Sequence, residues 1–312
     1  MIRRRTVFVL GAGSSAPYGF STGAKLLQSA RKMSVEQMSE ATEGCFQPRQ
    51  MDPIHNALQD TIMPSIDAML QHQPNLWPAL KGLMAALLLD EEKKALTTHP
   101  DVDEDWLALI AENMAANTRT IEDFARNPVS FVTFNYDRLL EYRLGRGLAQ
   151  HYAIRISNVW QHLDAVPIIH VHGSLGLLPE QRLDHEARPI PFGAPENPGY
   201  ADKSIAVVGA VKGTKIVHEV SPNEQSFMMA RHFMQHADQV LFLGFSFGSD
   251  NVRHLGTRDA IPETAQVYCT TYKMTAAEVR ADVNPAFKPT VPLQCGDTTA
   301  RQFLREHIEV LR

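Results

Sequence analysis

Three short segments carry residues whose types and spacing suit chemistry. Asn135 and Asp137 stand two apart directly after the apolar run Val129–Phe134, so in an extended backbone their side chains point to one side. An Asn amide supplies two donors and an acceptor without titrating, which lets it fix a water or a hydroxyl. His172 follows the run Pro167–Val171 and stops at Gly173; its imidazole titrates near working pH and suits a general base. The third segment, Gly11, Ala12, Gly13, Ser14 and Ser15, follows the buried-looking run Thr6–Leu10. Glycines without a Cβ let backbone N–H groups come close to a pyrophosphate at the start of a helix.

Each segment also has a structural alternative. Gly-Ala-Gly turns close strands that bind nothing, and Asn135 and Asp137 suit the cap of a helix starting near Arg138. His170 and His172 alternate onto one strand face, a spacing at which two imidazoles can share an ion. That would make a metal-dependent hydrolase, with Asp137 the one clear carboxylate. Otherwise His170 is a packed or solvent-facing neighbour.

These residues need a scaffold that brings strand ends together. Runs at Thr6–Leu10, Val129–Phe134, Pro167–His172, Gln239–Leu243, Gln266–Cys269 and Val291–Gln294 read as strands, each closed by Gly, Ser, Thr, Asn, Asp or His. Helical patterns lie between them. The sequence therefore predicts an α/β fold: a Rossmann-like parallel sheet with helices on both faces, binding ligands at its carboxyl edge. A largely helical insertion is expected over residues 24–128, with Ile62, Ile66, Met69 and Leu70 on one face and Trp106, Leu107, Leu109 and Ile110 clustering later. Residues 175–222, rich in Pro and Gly, read as an irregular module with a strand at 204–209. The whole chain, 1–312, is expected to form one domain.

A hydrophobic share of 44% with 21% charged residues is ordinary globular composition and excludes a disordered or fibrous chain. A net charge of -5 supplies no basic field for direct nucleic-acid binding. No stretch approaches the ~20 apolar residues of a membrane helix, the longest run being Leu83–Leu89. The three cysteines, Cys45, Cys269 and Cys295, lie far apart without paired spacing, which fits a reducing, cytoplasmic setting.

Taken in order, Gly11–Ser15 with Gly19 and Thr22, Thr133–Asp137, His172-Gly173, Gly244-Phe245-Ser246 and Gly296-Asp297 resemble the NAD-binding blocks of the sirtuin superfamily. The chain looks most like the bacterial sirtuin-like NADase branch, which also shares a stretch similar to Ser65–Leu70. The resemblance covers Thr6 to Ile308. It implies a catalytic role for His172, a requirement for Asn135 in hydrolysis, and contact of Asp137 with the nicotinamide carboxamide. It further implies that Gly11, Ala12, Gly13, Ser14, Ser15 and Thr22 lie along the cofactor. Gly244, Phe245 and Ser246 fall on its phosphate or adenosine side, and Thr270 and Asp297 near adenosine. Protein-deacylating sirtuins carry two cysteine pairs that hold zinc after the His-Gly block; 174–222 contains no cysteine, so zinc is not expected.

The activity so implied is hydrolysis of NAD+ to nicotinamide and ADP-ribose through an oxocarbenium-like ribose. In that branch it serves anti-phage defence by draining NAD+. Such activity must be gated. The resemblance implies gating by homo-oligomerisation or by a partner such as a ring-forming ATPase or an Argonaute-type protein. The apolar run Leu83–Leu89 offers either a contact surface or, the commoner fate of such a run, a packed core. The alternatives are a silent NAD or ADP-ribose sensor or assembly subunit, and an NAD-dependent deacylase or ADP-ribosyltransferase.

Overall fold

The computed structural model describes residues 1–181, 189–194, 203–216 and 219–312. Six parallel strands, β1 (Thr6–Leu10), β2 (Val129–Thr133), β3 (Ile168–His170), β4 (Gln239–Leu243), β5 (Gln266–Thr270) and β6 (Leu293–Gly296), form one sheet. Their order, β3-β2-β1-β4-β5-β6, reverses direction at β1, so the β1 and β4 carboxyl ends flank the switch point where such sheets bind ligands.

β1, β2 and β4 are buried along their whole lengths, which explains their near-continuous apolar sequences. Alternation sorts their side chains between two cores. Phe8, Leu10, Phe131, Leu241 and Leu243 pack with helices Trp106–Ala115, Leu139–His151 and Ile156–Leu163. Val7, Val9, Val132, Val240 and Phe242 pack on the opposite face with helices Gln225–Gln235 and Ser249–Leu255. The helices thus cover both faces, as the sequence predicts. β3 is shorter than its apolar run: it ends at His170 and leaves His172 in the turn beyond.

The helical insertion lies between β1 and β2 and has a core of its own, built around the long helix Trp77–Ala95. That helix is buried on nearly every side, so Leu83, Met84, Ala85, Ala86, Leu88 and Leu89 are core, the commoner of the two fates expected of that run, and not a contact surface. Ile62 is also corrected. It is 92% exposed in the linker before helix Ile66–His72, because Pro64 follows it and the helix begins only after Ser65. Its expected companions Ile66, Met69 and Leu70 are buried.

The strand expected at 204–209 is a helix, Lys203–Gly213. Its β-branched residues suit a strand locally, but Ala206, Val207 and Ala210 share one helical face and close the insertion core against Trp77–Ala95. Tertiary packing overrides the local preference. The rest of the expected irregular module lies partly outside the described residues.

A buried ion pair fastens these layers. Glu92, on the long insertion helix, accepts from the Arg138 backbone N–H at 3.1 Å, from its Nε at 3.0 Å and from its Nη2 at 2.5 Å. Glu92 also takes the Gly193 N–H at 2.9 Å. Such a pair is weak evidence for stability as a whole, but losing one partner alone costs about 3–5 kcal/mol by leaving the other charge bare.

Cys269 and Cys295, remote in sequence, stand opposite one another on β5 and β6. Among the described residues no helix is long and apolar enough to cross a membrane.

Candidate active site at the carboxyl edge of the sheet

The β1 turn and the β4 turn touch at the switch point. Gly11 donates its N–H to Leu243 O at 3.1 Å and Gly13 to Gly244 O at 3.0 Å, while Ser14 N–H returns to Gly11 O at 2.8 Å. A Cβ on Gly11 would stand 2.5 Å from Gly244 O, and one on Gly244 would stand 2.1 Å from Ser14 N. Gly244 also has φ +60°, a left-handed conformation that favours glycine. Three amides expected to face a phosphate are therefore donated within the protein, and the glycines serve first to let two turns meet. Ala12 is exposed at the start of this turn. Thr22 sits at the N-cap of helix Gly23–Arg31, where its side chain makes no cap hydrogen bond.

Thr270 reinforces the same junction. Its hydroxyl accepts the Gly244 N–H at 2.8 Å and donates to Phe242 O at 3.3 Å. Phe245 packs its ring into an aromatic cluster with Phe134, Phe242 and Phe247, at centroid distances of 4.9, 5.6 and 5.0 Å. Its side chain belongs to the core. Ser246 is exposed next to it. Asp297 is exposed and accepts the Lys273 N–H at 2.6 Å, tying the loop after β5 to the end of β6.

Beneath the β1 turn, Ser14, Ser15, Thr133, Asn135, Asp137 and His170 line one small cavity, which Trp106 and Leu107 of the insertion close. Asn135 Nδ2 donates to Ser15 Oγ at 3.0 Å and to Ser14 Oγ at 3.3 Å, and its backbone N–H bonds Thr133 Oγ1 at 3.1 Å. Asn135 Oδ1 is buried without a hydrogen-bond partner. Leaving a buried carbonyl unpaired costs about 1–3 kcal/mol. Asp137 does cap the following helix, taking the Leu139 N–H at 3.1 Å, yet it also faces this cavity. Burial pushes its carboxyl up to about 7, against the pull of the Leu139 N–H, with the Glu92 charge adding to the rise.

His172 does not line that cavity. Side chains alternate after β2, so Phe134 and Tyr136 point away from Asn135 and bracket His172, at 5.5 and 6.5 Å between ring centroids. Phe227 adds a third ring at 5.6 Å. His172 Nε2 lies 3.2 Å from Asn251 Oδ1, an acceptor that places the proton on Nε2. Nδ1 is then an unprotonated nitrogen, buried and without a partner. Burial lowers the imidazole's proton affinity, so the ring is neutral at physiological pH. Asp67, from the insertion, accepts the Tyr136 hydroxyl at 2.8 Å beside it.

His170 is neither solvent-facing nor paired with His172 around an ion. Both of its ring nitrogens are engaged, Nδ1 with Asn135 O at 2.9 Å and Nε2 with Glu141 Oε1 at 2.5 Å. Among the described residues no three His, Cys, Asp or Glu groups gather to hold a metal ion.

Residues 129–272 match the SIR2-like domain. The SIR2-like segment runs from β2 to just past β5 and contains Asn135, Asp137, His172, Gly244 and Thr270. A Sir2 homologue crystallised with NAD is 13% identical, over 99% of this chain and 92% of that chain, with a TM-score of 0.45. A serine-to-alanine mutant of a Sir2 homologue in complex with ADP-ribose is 13% identical, over 99% of this chain and 93% of that one, at a TM-score of 0.43. Among curated proteins no relative matches.

Sequence reasoning missed Asn251 and the Glu141–His170 pair. Asn251 gave no local signal, since its position on helix Ser249–Leu255 matters only once that helix meets His172 in the turn after β3. Asp67 lay inside a stretch singled out for resemblance, but nothing in the sequence told that its carboxylate would meet Tyr136.

Proposed function

We propose that this protein hydrolyses NAD+, breaking the bond between nicotinamide and ribose to release nicotinamide and ADP-ribose. The observation that carries this reading is one buried cavity holding the unpartnered Asn135 Oδ1 beside an Asp137 carboxyl that titrates near 7, inside the SIR2-like segment. A carboxamide both donates and accepts. A carboxyl near its pKa at neutral pH offers both an acceptor and a donor to it, while Asn135 orients a water or a ribose hydroxyl.

Nicotinamide leaves with the electron pair of the glycosidic bond, so no strong general acid is required, and water adds to the cationic ribose. His172, which stands outside that cavity and faces away from Asn135, takes the released proton on Nδ1 from the opposite side of the ribose. The role proposed with this activity is that of a gated effector of anti-phage defence, held in check by self-association or by a partner such as a ring-forming ATPase or an Argonaute-type protein.

The test is chromatography of NAD+ incubated with the wild type, Asn135→Ala and His172→Ala, each with and without EDTA. Equal amounts of nicotinamide and ADP-ribose from the wild type alone, unchanged by EDTA, support the proposal. Tight NAD+ binding by calorimetry with no products would point instead to a sensor.

A further inference from the structure

β5 and β6 bring together the only two cysteines of the sheet. Cys269 and Cys295 are register partners, between Tyr268 opposite Gln294 and Thr270 opposite Gly296. Neighbouring strands run about 4.7–4.9 Å apart and in-register side chains share a face, so the pair falls within the Cα span of about 4.4–6.8 Å that a disulfide requires. The two differ in access: Cys269 is fully buried in the core under the sheet, whereas Cys295 is exposed on the edge strand.

That asymmetry divides the labour of a two-step oxidation, in which one thiol meets the oxidant and the other resolves the product. We propose that Cys269 and Cys295 form an oxidisable dithiol site that closes to an intramolecular disulfide on exposure to hydrogen peroxide. The Cys295 thiolate attacks the peroxide, forming an S–O bond as the O–O bond breaks, and leaves a sulfenic acid and one water. The Cys269 thiol then attacks that sulfur, forming the S–S bond and releasing a second water. Two electrons pass from the sulfurs to the peroxide, and the protons end in water.

The neighbouring Cys269 holds the Cys295 thiol below its ordinary value, while burial pushes Cys269 above. The attacking role therefore falls to Cys295. Cys45, whose Sγ donates to Ser204 O at 3.4 Å, lies elsewhere and provides an internal control. This site is independent of any activity toward NAD+.

The test treats the full chain with hydrogen peroxide, blocks remaining thiols with maleimide in denaturant, and digests it for mass spectrometry. The expected result is one cross-linked peptide pair joining Cys269 to Cys295, two hydrogen masses lighter than the separate peptides. It should dissolve on adding dithiothreitol, persist in Cys45→Ser and vanish in Cys295→Ser, a change at an exposed position that spares the core. Two fully maleimide-labelled cysteines after peroxide, a Cys295 advanced to sulfinic acid without the cross-link, or linkage only between chains would overturn the proposal.

Discussion

Glu141 grips His170. Its Oε1 lies 2.5 Å from Nε2, and the other ring nitrogen, Nδ1, lies 2.9 Å from the Asn135 carbonyl oxygen, so a carboxylate on one helix fixes the backbone at the candidate active site. Burial alone would lower the His170 pKa, but the charge and hydrogen bond of Glu141, the Asn135 carbonyl and the Asp137 charge outweigh it and raise it. Burial likewise works against the Glu141 charge, yet His170, with Arg138 beyond it, keeps its pKa below normal.

The sign of each shift gives a pH window for this pair. The His170 contribution is complete below its unfolded pKa of ~6.5 and fades as pH rises through the raised folded value; that of Glu141 is complete above ~4.5 and fades as pH falls through the lowered one. Glu141→Gln should therefore cost most stability between about pH 4.5 and 6.5, on the order of 3 kcal/mol, and less on either side. Denaturant melts across pH check this. A loss independent of pH would rule out the ionic pair.

Asp137 runs the other way. Its folded pKa near 7 exceeds the unfolded ~3.8, so the fold is unpenalised below the unfolded value and loses stability as pH climbs through the folded one. The loss is on the order of 4 kcal/mol above pH 7. Asp137→Asn keeps an oxygen for the Leu139 N–H and removes the charge. Its stability relative to wild type should rise between pH 4 and 8, as melts on both proteins would show; parallel curves would contradict the raised pKa.

His172 sets the acid limit of the proposed reaction. Burial lowers its pKa, with His254 adding slightly, against the pull of Asn251 and the Asp67 charge. The acid limb of kcat/KM should therefore fall below pH 6.5. Asn251→Ala should move that limb further down and, by releasing the tautomer, reduce kcat about 10- to 100-fold. A limb above pH 6.5 would mean that another group carries the proton.

Gly244→Ala tests the junction of the two turns. The added methyl would stand 2.1 Å from Ser14 N in a residue with φ +60°. The variant should lose at least ~3 kcal/mol in a melt, well beyond an ordinary surface change, because backbone and not a flexible side chain must yield. A neutral effect would show that the turns separate easily.

Much of this molecule is legible in the sequence for a simple reason. β1, β2, β4 and most of β5 are buried on both sides of the sheet, so each is written as a near-continuous apolar run, and the chain must turn where Gly11, Asn135, Gly244 or Thr271 interrupts it. Asn135 and Asp137 line one cavity, although the backbone bends at Tyr136 and Asp137 instead of staying extended. What the sequence could not hold is anything set by contact between distant segments. Ile205, Val207 and Val208 suit a strand until Trp77–Ala95 offers a helical groove to fill. The types of Gly11 and Gly13 are plain in the sequence, but only the arrival of Gly244 decides that their amides bond to protein. The same holds for His172, which the alternation after β2 turns toward Phe134, Tyr136 and Asn251 and away from Asn135. It holds too for Cys269 and Cys295, which become neighbours only when β6 joins the edge of the sheet. Local pattern fixes which surfaces are apolar and where the chain bends. Pairing of remote surfaces depends on packing the whole chain, and that packing decided which polar groups meet.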